Sequence, residues 1–168
     1  VSPVLHEWAQ TFVAASPFVV LASSDANGNH DASPRGGPPG FCRVLDAHTI
    51  AIPEQPGNNL LQTIRNVNEN PGIALLFLIP GVTETARVNG IAEFVLSKSP
   101  AWNELSDLWA DGEQLRGAIL IHVKEAYYHC GRAGKFARLW DVEAIRENAV
   151  TRPVPKRPAR PPTTPPSA

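Results

Sequence analysis

Only two cysteines occur in the 168 residues, Cys42 and Cys130. That is too few for a disulfide framework, and they lack C-x-x-C spacing, so a reducing compartment is expected. No apolar run is long enough to cross a bilayer, and the start has no charged-then-apolar leader pattern; the expectation is a soluble, cytoplasmic protein with no membrane partner. G-x-G-x-x-G and G-x-x-x-x-G-K-[ST] are both missing, which removes support for a Rossmann dinucleotide site and for a P-loop. A G-x-S-x-G elbow is missing too, so serine-hydrolase chemistry has no anchor. His129 and Cys130 are adjacent and on a strand would point to opposite faces; no other His/Cys pair has ligand spacing, so no metal is expected.

Charge is scarce in total and uneven in placement. The net charge is -1, yet all 16 acidic residues precede position 148, against 11 of the 15 Lys/Arg, which leaves the body at -5. An acidic body with 7% aromatics is a poor nucleic-acid binder, and any phosphate site in it must be locally positive. From Thr151 onward there is no acid and no aromatic, and seven of the 17 prolines fall there. Such a segment cannot bury enough apolar area to offset its ordering entropy. One folded domain is expected over 1–148, followed by a Pro-rich basic tail, 149–168, without fixed structure.

What is present reads mainly as strands. Ser2-Pro3 is an N-cap and first-turn pair, and Leu5, Trp8, Ala9, Phe12 and Val13 recur at helical spacing after it. A strand is expected over Phe18–Ser24, then a turn at Asp25-Ala26-Asn27-Gly28 and a short return strand over 30–33. Residues 41–45 and 49–53 form a second hairpin. Asn58 or Asn59 caps a helix that Asn70-Pro71-Gly72 stops. The apolar run 73–79 suggests a strand buried on both faces, and 85–94 alternates with Ala86, Val88, Gly90, Ala92 and Phe94 on one side. Ser99-Pro100 opens a helix with Trp102, Leu105 and Trp109; a strand from Gly117 and a short helix with Phe136, Leu139 and Trp140 follow. About six strands in hairpins with a few peripheral helices point to a mainly β (α+β) antiparallel barrel.

Two Gly/Pro-rich loops could carry chemistry. Ser33-Pro34-Arg35-Gly36-Gly37-Pro38-Pro39-Gly40-Phe41 offers a guanidinium where glycines allow close backbone approach and prolines stiffen the path. Ile52-Pro53-Glu54-Gln55-Pro56-Gly57-Asn58-Asn59 brings two amides to a helix N-terminus. Backbone donors, a cation and a helix dipole together hold a phosphate; a surface arginine in a turn and an asparagine cap would use the same residues. Arg65 reads as solvated. Arg87 and Asn89 emerge two residues apart on the polar face of a strand, suited to a ligand or a subunit interface. Lys135, Arg138 and Trp140 gather two cations and an aromatic, as cofactor contacts or as surface charge and core anchor. No catalytic acid, base or nucleophile stands out, which suits a cofactor that brings its own reactivity.

These segments, with Ile64-Arg65-Asn66, Asn70-Pro71, Leu75-Leu76-Phe77, Pro80-Gly81, Glu84-Thr85, Arg87-Val88-Asn89-Gly90, His129-Cys130 and Leu139-Trp140, form an ordered series. The series resembles the pyridoxamine 5'-phosphate oxidase-related flavin-nucleotide-binding proteins over roughly residues 16–142. The resemblance implies a six-stranded split β-barrel and a homodimer with one FMN in each of two interface grooves. It implies a phosphate held by Arg35, Gly36, Asn58 and Asn59, and a ring along the strands that carry Phe41, Arg43 and Pro53. Thr85, Arg87, Asn89, Lys135, Arg138 and Trp140 would contribute from either subunit. The implied activity is flavin-dependent oxidoreduction of a small molecule, with a flavin carrier or sensor, or a haem- or deazaflavin-binding barrel, as alternatives. Leu61-Gln62-Thr63 stands where the oxidase proper has an S-R-K triplet, Gly37 replaces a frequent acid, and the oxidase's basic C-terminal ending is not recognisable. The first and last of these departures argue against vitamin B6 oxidation itself, and Gly37 is expected to loosen its loop.

Overall fold

The computed structural model describes residues 1–55 and 61–154. Seven antiparallel strands, one more than expected, form one sheet in the order β2-β1-β5-β6-β7-β4-β3. β1 (Phe18–Ser24) and β2 (His30–Gly36) make the first hairpin, and β3 (Arg43–Asp46) and β4 (Thr49–Glu54) the second. The first turn forms where expected, although Gly28 alone takes a positive φ where the Asn27-Gly28 pair was expected to supply two. The Asp25 carboxylate accepts from the backbone N–H groups of Asn27 and Asn29 at 2.9 and 2.8 Å, and Gly28 takes φ 81°.

β2 runs three residues beyond the expected end, which places Arg35 on the strand opposite Val19 rather than in a loop. Pro34 does not stop it because β2 is an edge strand, where a missing N–H breaks no ladder on the open side. The β2 alternation then turns Asp31, Ser33 and Arg35 to one side, each half-buried between exposed neighbours.

The N-terminal helix also departs from expectation. α1 spans Glu7–Ala15, and Ser2 exchanges two backbone hydrogen bonds with Ala126 instead of capping it. Leu5, Phe12 and Val13 carry the segment's apolar side into the core. α2 spans Gln62–Glu69, and its N-cap is Leu61, in the left-handed region with no side-chain cap, so neither asparagine caps the described helix. Asn58 and Asn59 lie outside the described residues. Asn70 ends α2 as expected.

β5 (Gly72–Leu78) corrects another expectation. Ile73, Leu75 and Phe77 are buried, whereas Ala74, Leu76 and Leu78 are half-buried, so the strand has one core face. A continuous apolar run does not by itself reveal whether its second face is covered. β6 (Thr85–Leu96) buries Ala86, Val88, Gly90 and Ala92 as the alternation requires. Its ladder with β7 (Gly117–His129) shifts register between Asn89 and Gly90. Gly90 lies where a Cβ would strike the His122 carbonyl oxygen and come within 2.9 Å of Ile121 Cγ2.

The sheet curls far enough to bring distant strands together. Val19 and Leu21 of β1 share one buried cluster with Ile50 and Ile52 of β4, although three strands separate them in the sheet order. Where one helix was expected after Ser99-Pro100, three short 3-10 segments occur: Pro100–Glu104, Ser106–Leu108 and Gly112–Gln114. Asn103, Ser106, Asp107 and Gly112 weaken a continuous α-helix there. Trp102 and Trp109 stack with ring centroids 6.3 Å apart, and the Trp109 indole N–H donates to the Phe41 carbonyl at 2.7 Å. That bond ties the 37–41 loop to a second small core. At the C-terminal end, α3 (Arg132–Phe136) and α4 (Val142–Thr151) follow β7; α4 was not expected and runs past position 148. The prolines and cations beyond Val154 lie outside the described residues.

Candidate functional site

β2, the end of β4 and the first turn of α2 enclose a cleft of about 520 Å³. Arg35 is its centre. The Arg35 guanidinium reaches from β2 across the mouth of the barrel to β4, with Nη1 2.8 Å from Glu54 Oε2. Its Nη2 donates to the Thr63 hydroxyl on α2 at 3.3 Å, a long and weak bond. The Arg35–Glu54 approach is close but not aligned as a hydrogen bond. Arg35 Nε and Glu54 Oε2 are both buried without a hydrogen-bond partner among the described residues.

The floor on the α2 side is fixed by a buried polar chain. The Asn66 side-chain N–H₂ donates to Ser23 Oγ at 2.9 Å, and Gln62 donates to Asn66 Oδ1 at 3.0 Å. Asn66 and Thr63 are buried, so the first turn of α2 is locked against β1 with Gln62 and Thr63 at the cleft. Phe41 and Pro53 add apolar groups to the lining. Gly37 is needed for that lining, since a Cβ there would lie 2.7 Å from Phe41 Cβ. The absence of an acidic side chain at 37 is thus what lets Phe41 close down on the loop.

Of the residues expected at the site, Arg35, Gly36, Phe41 and Pro53 meet in this cleft. Arg43 does not line it: it sits on β3 beneath the Pro38–Gly40 turn, with Nε buried and unpartnered among the described residues. Thr85, Arg87 and Asn89 are half-buried on the face of β6 that alternates with the core side; Asn89 donates to Glu125 of β7 at 2.9 Å. Lys135 is exposed on α3, and Arg138, at φ 51°, pairs with Asp141 at 2.6 Å. That pair and the N-cap bond from Ala144 hold the Asp141 carboxyl below its ordinary range, the backbone bond being the larger cause. Trp140 is half-buried and outside the cleft.

Glu54 is the residue that sequence reasoning missed. The signal was present: Ile50 and Ile52 face the core, and period-two alternation puts Glu54 on the same side. Gln62 and Thr63 were missed as well, having been noted only as a departure from the oxidase triplet. In that place they bring amide and hydroxyl groups to the cleft and no cation.

The pyridoxamine 5'-phosphate oxidase family model matches residues 5–130. This chain belongs to that family. No curated protein matches the sequence. Among solved structures, a HupZ variant from Group A Streptococcus is 19% identical with a TM-score of 0.60; the match covers 74% of this chain and 99% of that one. A protein of Lactobacillus delbrueckii, described as a candidate pyridoxamine 5'-phosphate oxidase, is 20% identical with a TM-score of 0.57, over 75% and 95% of the two chains. An FMN-binding protein of Syntrophomonas wolfei is 11% identical with a TM-score of 0.55, over 74% and 85%. At these identities the likeness establishes the split-barrel fold alone. Among the described residues, no helix is long and apolar enough to cross a membrane, and no group of three His, Cys, Asp or Glu is placed to hold a metal. Cys42 is buried and burial pushes its thiol far up, so it is a packing residue here.

Proposed function

We propose that this family member binds FMN at the Arg35 cleft and serves as a cytoplasmic flavin-dependent oxidoreductase on a small molecule, as a homodimer. The observation that carries the reading is the meeting in one cleft of a cation, a hydroxyl and a helix first turn, with Phe41 and Pro53 in the same lining. The donor set fits a flavin mononucleotide. Arg35 Nε is a buried donor with no partner among the described residues, and Thr63 and the α2 terminus lie beside it, so a phosphate there would satisfy them. Phe41 and Pro53 give the cleft the apolar lining that a ring system needs.

FMN when bound supplies hydride and electron transfer, so Glu54 and Asp31, the carboxylates that line the cleft, need take no part in the chemistry. The chain's own part is to anchor the phosphate, orient the ring and exclude water. Thr85, Arg87, Asn89, Lys135, Arg138 and Trp140 do not line the cleft of their own chain, so a second copy would have to bring them to the ring. The half-buried face of β5 and the exposed Trp8 and Tyr128 give such a copy apolar surface to cover. Free Cys42 and Cys130 suit a reducing cytoplasm.

Spectra and titrations test the reading. Purified protein with FMN should show flavin absorbance and quenched flavin fluorescence. FMN should bind at least about 100-fold more tightly than riboflavin, since two or more charge-assisted hydrogen bonds contribute on the order of 1.5–3 kcal/mol each. Equal affinities would remove the phosphate site, and a haem-type spectrum would remove the flavin. Bleaching of the flavin by a nicotinamide donor would support turnover; an inert flavin would leave a carrier.

A further inference from the structure

We propose that Glu54 is a specificity-determining residue: its carboxylate occupies Arg35 in place of the ligand's phosphate, and only a phosphomonoester dianion displaces it. The inference rests on the cleft being a phosphate site and states which head group that site admits.

Glu54 is 6% exposed and its backbone is pinned, paired with Gly117 on β7 and accepting from the Arg116 N–H at 2.9 Å. Arg35 is its opposite. It extends from an edge strand on a long flexible side chain, is 21% exposed, and among the described residues has only a 3.3 Å bond to Thr63 besides the pair. A stable buried pair would use Nε and one Nη in a two-pronged contact with both carboxylate oxygens. Here Nε and Oε2 are both left without a hydrogen-bond partner among the described residues, although the charges are 2.8 Å apart. The pair holds by charge alone, and the idle Nε is the donor that a side-on phosphate would engage. On ligand entry it is therefore the guanidinium that swings, while Glu54 stays.

The charge balance sets the selectivity. Arg35 is cancelled by Glu54, and Asp31 lines the same cleft. A ligand carboxylate would replace one carboxylate by another and add a like charge beside Glu54. A phosphate dianion brings twice the charge and three acceptor oxygens, and so wins the guanidinium.

Titration of FMN and riboflavin into four proteins tests this: the unaltered chain, Glu54→Gln, Glu54→Asp and Asp31→Asn. Removal of a carboxylate a few ångströms from the bound anion should tighten FMN at least about tenfold in Glu54→Gln, with riboflavin unchanged. Glu54→Asp keeps the charge but withdraws it from the guanidinium; it too should tighten FMN, and it carries the test if the Gln variant does not fold. Asp31→Asn should change FMN affinity less than either. FMN binding that is unchanged or weaker in both Glu54 variants, or a gain as large in Asp31→Asn, overturns the proposal and leaves Glu54 as a clasp between β2 and β4. In that outcome a preference of the unaltered protein for FMN over riboflavin still stands. If that preference is missing, the phosphate reading fails and this proposal with it.

Discussion

Arg35→Ala should weaken FMN binding by a hundredfold or more and destabilise the ligand-free fold. Both losses have the same origin. Arg35 is the only cation lining the cleft among the described residues, and its removal takes away two or more charge-assisted hydrogen bonds, on the order of 1.5–3 kcal/mol each. It also leaves the Glu54 carboxylate 6% exposed with no counter-charge, facing the incoming phosphate. Breaking a fully buried pair costs about 3–5 kcal/mol; Arg35 is 21% exposed and the pair is misaligned, so a value nearer 2 kcal/mol is expected in urea unfolding. Arg65→Ala is the control, because Arg65 is exposed on α2 and does not line the cleft. Flavin-fluorescence titration of the two variants should separate them by more than tenfold. Equal weakening would mean that Arg35 acts through overall charge and not as a phosphate ligand.

The second large effect belongs to the fold. Gly90→Ala should lower stability by about 3 kcal/mol, the upper part of the range for overpacking a core. The new methyl would collide with the His122 carbonyl oxygen, a backbone atom of β7 held in the ladder, and would sit 2.9 Å from Ile121 Cγ2. Neither can retreat, because Ile121 is fully buried and β7 is paired on both sides by β6 and β4. Urea midpoints measure the loss, and a midpoint within a few tenths of a kcal/mol of the unaltered protein would contradict the account. FMN affinity of the folded fraction should be unchanged. The glycine that closes Arg87-Val88-Asn89-Gly90 is thus there for strand approach, whereas the sequence pattern placed it on the core side of the alternation without a reason for glycine.

This contrast shows what the sequence made legible. Turn chemistry was readable at Asp25–Gly28 and at Asn70, because short polar side chains and glycine act on their own backbone within a few residues. The β6 alternation was readable because one face is buried in this chain. Ser2-Pro3 misled, since a local capping signal yielded to a backbone pairing with Ala126, more than a hundred residues away. Pro34 misled in the other direction: a proline is compatible with a strand at an edge, and edge position is a property of the whole sheet. The cleft was half legible. Arg35 and Gly36 announced themselves through loop composition, and Phe41 and Pro53 came only with the family resemblance. Alternation with Ile50 and Ile52 gives the side of β4 that Glu54 faces, but its meeting with Arg35 and Thr63 depends on the curl that sets β2 against β4 and α2, which no local pattern encodes.

The crystal structure of the FMN-loaded protein is the most direct test. The expected result is a phosphate hydrogen-bonded to Arg35 and Thr63, with the ring leaving along Phe41 and Pro53 towards a second copy that supplies residues from its β6 or C-terminal helices. A flavin phosphate bound elsewhere, with the Arg35 guanidinium still resting on Glu54, would contradict it.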